Sequence, residues 1–157
     1  MNNPAAADSA EVPRPCACNS VRRAARILAR AYDSALDGCG LNITQLAVMR
    51  AVERHPGQPL TRVAEDLAMD RTSLYRALAG LQRQRWISLS AGPDGRARSA
   101  SVTAAGAAAL ERAHPRWSLL QRRLKERFGA EPWRVLHEEL LRLSRCAEDV
   151  AMEDEGE

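Results

Sequence analysis

Residues 60–81, LTRVAEDLAMDRTSLYRALAGL, hold two short amphipathic patterns separated by a turn. Val63, Ala64 and Leu67 share one face of the first, which predicts a helix over about 60–68. Ala64 is small where a second helix must cross closely. Ala68 and Met69 supply the turn, and Asp70 is placed to cap a second helix over about 71–85. On that second helix Leu74, Ala77, Leu78 and Leu81 face inward. Arg71, Thr72, Ser73, Tyr75, Arg76 and Gln82 are left outside.

Outward from this block the pattern changes twice. Ile87 and Leu89 alternate with Ser88 and Ser90, Gly92-Pro93-Asp94-Gly95 makes a turn, and Arg98, Ala100 and Val102 alternate on return. This predicts a two-stranded hairpin with an arginine-bearing tip. On the amino side, Asn42 caps a helix running to about His55, where Pro56-Gly57 stops it. Before that, apolar residues from Val21 to Leu36 follow a helical period until Gly38 and Gly40. On the carboxyl side Thr103 opens a long helix to about Phe128, with a bend expected at Pro115. Gly129 closes it and Pro132 suits the first turn of a last helix. There Trp133, Leu136, Leu140, Leu143, Ala147 and Val150 form a short heptad seam.

The expected fold is mainly α with a small β-hairpin wing: a winged helix-turn-helix domain flanked by N- and C-terminal dimerisation helices. Residues 1–15 read as a flexible arm and 16–150 as a single domain. Its core spans about 42–103, the dimerisation helices about 18–37 and 104–150, and an acidic tail follows at 151–157. Val21, Leu28, Leu120, Trp133, Leu136, Leu140 and Leu143 are the expected dimer interface, the partner being a second copy.

The formal charge of +3 is a cancellation. Residues 1–70 carry eight groups of each sign, whereas residues 71–110 carry six arginines against the single Asp94. Residues 111–146 carry nine basic groups against five acidic ones, and Ala147–Glu157 carries six acids and no base. A concentrated basic block is what nucleic-acid contact requires. Lys125 is the one lysine, a sign of coding bias towards arginine, so position rather than number carries the argument. Arg71, Thr72, Ser73, Tyr75 and Arg76 suit a helix in the major groove, where arginine can bond two acceptors of a guanine edge. Arg96 and Arg98 would then lie along the adjacent backbone or minor groove.

These residues resemble the MarR family of bacterial winged-helix regulators, from about Val21 to Val150. The matching stretches are Gly40-Leu41-Asn42-Ile43-Thr44-Gln45, Ala64-Glu65-Asp66-Leu67, Asp70-Arg71-Thr72-Ser73-Leu74, Asp94-Gly95-Arg96-Ala97-Arg98 and Val102-Thr103-Ala104-Ala105-Gly106. The resemblance implies a triangular homodimer on a pseudo-palindromic double-stranded operator, usually a repressor released by a ligand or by thiol chemistry. It puts Arg71, Thr72, Ser73 and Arg76 on the recognition helix and Arg96 on the wing, with Asp94 steadying the hairpin. Gly95 stands where the family often has an arginine.

The resemblance also implies a small-molecule inducer, commonly an anionic aromatic, between the dimer helices and the winged unit. Arg22, Arg26, Arg30 or His55 would answer its carboxylate, and Tyr32 or Trp117 would stack on it. Cys16, Cys18, Cys39 and Cys146 are the candidate sensor thiols. Cys16 and Cys18 enter a helix followed by Arg22 and Arg23, a setting that favours thiolate. Cys18 stands 22 residues before Gly40, close to the spacing in the hydroperoxide-sensing branch, but lacks that branch's following aromatic segment. The pair also suits a soft metal, with Cys39 or Cys146 as third ligand; alternatively Cys39 and Cys146 are buried small hydrophobes. No zinc-type spacing links His55, His114 or His137 to the cysteines, so a structural zinc site is not expected, and no cofactor is.

No catalytic constellation occurs, and an enzyme is not expected. No apolar run approaches the ~20 residues of a membrane span, and the polar, proline-bearing start is unlike a secretory signal. A cytoplasmic location is expected, with no membrane partner. The reading from another class is a winged-helix protein-interaction module whose basic block meets an acidic partner.

Overall fold

The computed structural model describes residues 16–91 and 98–154. Among them the chain folds as α1 (Ala17–Ala35), α2 (Ile43–Arg54), α3 (Leu60–Asp66), α4 (Arg71–Arg83), β1 (Ile87–Ala91), β2 (Arg98–Val102), α5 (Ala104–Phe128) and α6 (Ala130–Asp154). The strands pair antiparallel with Ile87 opposite Val102 and Ala91 opposite Arg98. Pro59, just before α3, bridges Ser99 and ties the helix-turn-helix to the hairpin.

The core is built around α2. Its Leu46, Val48, Met49, Ala51 and Val52 are buried, and against them pack Val63 of α3 and Leu74, Leu78 and Leu81 of α4. Ile87 and Ala100 of the hairpin, with Ala109, Leu110 and Ala113 of α5, close the cluster. The amino end of α2 carries a capping box and a further acceptor from α1. Asn42 Oδ1 accepts from the Gln45 N–H at 2.8 Å, the Gln45 side chain returns the bond, and Asp33 of α1 accepts from the Ile43 N–H at 2.7 Å.

Two helices end earlier than their apolar period predicts, and for the same reason. At α3 the Met69 N–H reaches the Ala64 carbonyl and the Ala68 N–H reaches that of Glu65. At α4 the Trp86 N–H reaches Leu81 and the Arg85 N–H reaches Gln82. Both are Schellman turns, which need a left-handed residue. Ala68 (φ 47°) and Arg85 (φ 57°) occupy that place, so no glycine marks the stop. The first helix, in turn, starts at Ala17 with Cys16 as N-cap, ahead of the first apolar residue of its pattern. α5 continues through Pro115 as one helix from Ala104 to Phe128.

The junction of α4, the hairpin and α5 is held by Thr103. Its backbone N–H donates to the Trp86 carbonyl at 3.0 Å. Its hydroxyl donates to the Arg85 carbonyl at 2.7 Å and accepts from the Gly106 N–H at 3.1 Å. Gly106 is packed onto the same carbonyl: a Cβ there would overlap the Trp86 oxygen and meet Val102 Cγ1 at 2.9 Å. Trp86 is itself buried, and its ring edge lies where a Cβ on Gly40 would stand at 3.2 Å.

α1 and α6 bury no residue within the protomer. Val21, Leu28, Leu140, Leu141, Leu143, Val150 and Met152 are all exposed. Among the described residues no helix is long and apolar enough to cross a membrane.

Glycine-to-alanine exchange inside a helix ordinarily stabilises by up to ~1 kcal/mol. Gly106→Ala is expected to do the reverse, costing about 2 kcal/mol or more through overpacking. Urea denaturation measures the sign directly.

Candidate nucleic-acid interface

α4 is positioned by a cap and a leucine face. Asp70 Oδ1 accepts from the Ser73 N–H at 2.9 Å, and Oδ2 accepts from the Ser73 hydroxyl at 2.7 Å. Hydrogen bonds from Ser73, the side-chain one first, hold the Asp70 carboxyl below its ordinary value. Ser73 therefore serves the cap with both its polar groups, a role its expected place among the DNA contacts did not include. With Leu74, Leu78 and Leu81 turned inward, the 100° spacing turns Thr72, Arg76, Ala79 and Arg83 outward. Arg71, Thr72, Tyr75 and Arg76 are exposed. Tyr75 is 43% accessible, high for an aromatic side chain on a helix that packs a core.

A cleft flanks α4 on each side. The one towards the hairpin encloses about 450 Å³ between Pro59, Leu60, Thr61, Arg71, Leu74, Tyr75 and Arg98. The other encloses about 330 Å³ between α4 and the start of α2, with Asn42, Thr44, Ser73, Arg76 and Arg83 on its walls. The structure thus brings Arg71, Tyr75 and Arg98 together, as the order helix-turn-helix then wing requires. Asp94 and Arg96 lie outside the described residues.

Five arginines outside this surface are held by carboxylates. Arg54 meets Asp66 at 2.6 Å, Arg62 meets Glu65, Arg122 meets Glu126, Arg134 meets Glu131 and Glu138, and Arg142 meets Glu139. Among the described residues, Arg71, Arg76, Arg83 and Arg98 meet no carboxylate within 4.0 Å. Arg83 was not among the residues singled out from the sequence. The signal was present: it follows Arg76 by seven positions, two turns along the same face.

The chain is similar in sequence and structure to the Mycobacterium tuberculosis transcriptional regulator MosR, solved in complex with DNA. The two are 32% identical over 86% of this chain and 98% of that one, with a TM-score of 0.79. This chain belongs to the MarR family. The same fold recurs in the MarR family transcription regulator SP03579, 22% identical over 86% of this chain and 90% of that one (TM-score 0.69). It recurs again in PcaV of Streptomyces coelicolor, solved with its natural ligand, 21% identical over 91% and 99% of the two chains (TM-score 0.75). The IclR helix-turn-helix domain model matches residues 46–89, from α2 to β1. No curated protein matches the chain by sequence. The protein is a DNA-binding transcriptional regulator of the MarR fold.

The residues expected at a MarR ligand pocket fall into separate settings within the protomer. Tyr32, half-buried, donates its hydroxyl to the Gln121 side chain, and burial raises its pKa. His55 closes α2 with Nε2 3.4 Å from Asp66 Oδ2 but outside hydrogen-bond geometry. The hydrogen bond from Arg54 leads the causes that lower the Asp66 carboxyl. Arg22, Arg26 and Arg30 are exposed on α1. Trp117 is covered by Arg50, whose guanidinium carbon stands 4.1 Å from the ring centroid and whose Nη2 lies 3.4 Å from His114 Nδ1. Burial is the main cause lowering the Arg50 pKa. Arg50 was missed because α2 reads as a plain core helix. Ile43, Leu46, Ala47, Arg50, Arg54, Leu67 and Trp117 border a hollow of about 200 Å³.

Of the thiols, Cys16 and Cys18 are exposed at the start of α1 and Cys39 is buried near the Arg112 carbonyl. Cys146 is exposed on α6, which buries no residue within the protomer, so the alternative of a buried small hydrophobe applies to Cys39 and not to Cys146. Among the described residues no three His, Cys, Asp or Glu gather closely enough to hold a metal. Of the expected dimer contacts, Val21, Leu28, Leu140 and Leu143 are exposed, and Leu120, Trp133 and Leu136 are partly covered.

Asp70→Ala is expected to lower the melting midpoint, while Asp70→Asn retains the acceptor and most of the stability. The folded carboxyl titrates below its ordinary 3.8, so the cap is intact above that value and disappears as pH falls through the folded one. Thermal melts against pH should show the gap between wild type and Asp70→Ala constant near neutrality and closing on acidification.

Proposed function

We propose that this MarR protein is a homodimeric repressor that reads a pseudo-palindromic operator with α4 in the major groove. Arg71, Thr72, Tyr75 and Arg76 face the bases and adjoining phosphates, and the hairpin, through Arg98 and Arg96, lies along the neighbouring backbone. The observation that carries this reading is the clustering of Arg71, Arg76 and Arg83 on the exposed side of a capped helix that itself holds no acidic residue, with Arg98 across the neighbouring cleft. An unneutralised basic surface on a capped, projecting helix suits a polyanion with grooves. The dimer reading is supported by α1 and α6, whose apolar residues have nothing to cover them in one copy.

For the inducer, the Trp117 hollow of about 200 Å³ offers one ring's worth of space beside the part-buried Arg50. An aromatic carboxylate suits it, the ring on Trp117 and the anion on Arg50. A second release route, thiol oxidation, is favoured by the exposure of Cys16 and Cys18 at a helix start.

Gel shifts on DNA upstream of the protein's own gene, across a range of salt, test these points together. Arg76→Ala should lose discrimination between that DNA and a shuffled duplex. Equal, sequence-indifferent binding by the wild type would favour the protein-interaction or nonspecific reading. Release by an aromatic carboxylate should disappear in Arg50→Gln, and release by peroxide in Cys18→Ser. Sedimentation should give a dimer for the wild type and a folded monomer for Leu143→Glu; a wild-type monomer sinks the dimer.

A further inference from the structure

The cleft between the start of α2 and α4 lies apart from the hairpin and from the Trp117 hollow. Two of the first N–H groups of α2 are already used, those of Gln45 and Ile43, which donate to Asn42 and Asp33. What the cleft offers is side chains: the exposed Thr44 and the exposed guanidinium groups of Arg76 and Arg83. Gly80 lines it on the α4 side, where the Gln45 side chain packs close enough that a Cβ would come within 2.9 Å of Nε2.

Distance along α4 separates the two arginines. Seven residues at 1.5 Å place Arg83 about 10.5 Å beyond Arg76. The major groove is about 12 Å wide. If α4 crosses the groove with Arg76 at base edges, it carries Arg83 towards the groove wall, where the chemistry is phosphate. We propose that this cleft seats a backbone phosphate of the bound duplex, with Arg83 as its cation and Thr44 as a hydroxyl donor. The inference rests on α4 as the DNA-reading helix and adds a contact indifferent to sequence. It sits on the opposite flank from Arg98, so α4 is gripped from both walls of the groove.

The test is fluorescence anisotropy of the full chain on two duplexes, the promoter of its own gene and a shuffled duplex of equal composition, over a series of salt concentrations. Arg83→Gln should weaken both by the same factor, about tenfold for a charge-assisted hydrogen bond. Its plot of log affinity against log salt should flatten by about 0.9 for each phosphate that the variant leaves unneutralised. Arg83→Lys should keep the slope. Thr44→Val should weaken both duplexes modestly with the slope unchanged. An unaltered slope in Arg83→Gln overturns the proposal, and so does a weakening confined to the promoter duplex, which marks base reading. If the wild type binds neither duplex, the DNA reading of α4 itself fails; if it binds both and Arg83→Gln matches it, only the phosphate seat fails.

Discussion

The carbonyl of Trp86 is the point on which the architecture turns. It accepts the Thr103 N–H and carries Gly106 against it, so the end of α4, the base of the hairpin and the start of α5 meet at one peptide. Thr103 adds its hydroxyl to the Arg85 carbonyl, fixing the left-handed turn that ends α4. The placing of α4 against the hairpin is thereby held by the Trp86 and Arg85 carbonyls and by Thr103 rather than by the side chains of α4 that face solvent. Those side chains are left free of structural duty. The end of α4 and the start of α5 are thus joined through the same few atoms.

The same economy governs charge. The core around α2 uses leucine, valine, methionine and alanine, with Ser99 its one buried polar residue among those described. Several carboxylates of α3, α5 and α6 meet arginines, and α4 has none within its own length. Clustered arginines without partners repel one another, and that repulsion is relieved by a phosphate polyanion on binding. α1 and α6 leave apolar surface in the same way, and a second copy is the occupant proposed for it. On that account, stability depends on protomer concentration as well as on the core.

Much of this was legible in the sequence because local rules agreed with one another. Asp70, Leu74, Leu78 and Leu81 specify cap and face together, and the serine alternation around Ile87 and Leu89 specifies the hairpin. The differences have physical causes. Ala68 and Arg85 hold left-handed turns that glycine ordinarily marks, so the apolar period alone carries α3 and α4 too far. Ser73, beside Asp70, has the pattern of a groove contact and is half of a cap. Arg50 has the pattern of the polar side of a core helix, and only α5, over sixty residues away in sequence, brings Trp117 and His114 to it. Exposure of Cys146 depends on what faces α6, which a single chain's periodicity does not state.

The central claim is that two copies of α4 read one duplex in successive major grooves. Hydroxyl-radical footprinting on duplexes selected from a random library by the wild-type protein tests it most directly. The account predicts a pseudo-palindromic selected sequence with two protected half-sites about 10 bp apart centre to centre, or a multiple of that turn. A single protected patch, or no sequence enriched above the starting library, would contradict it.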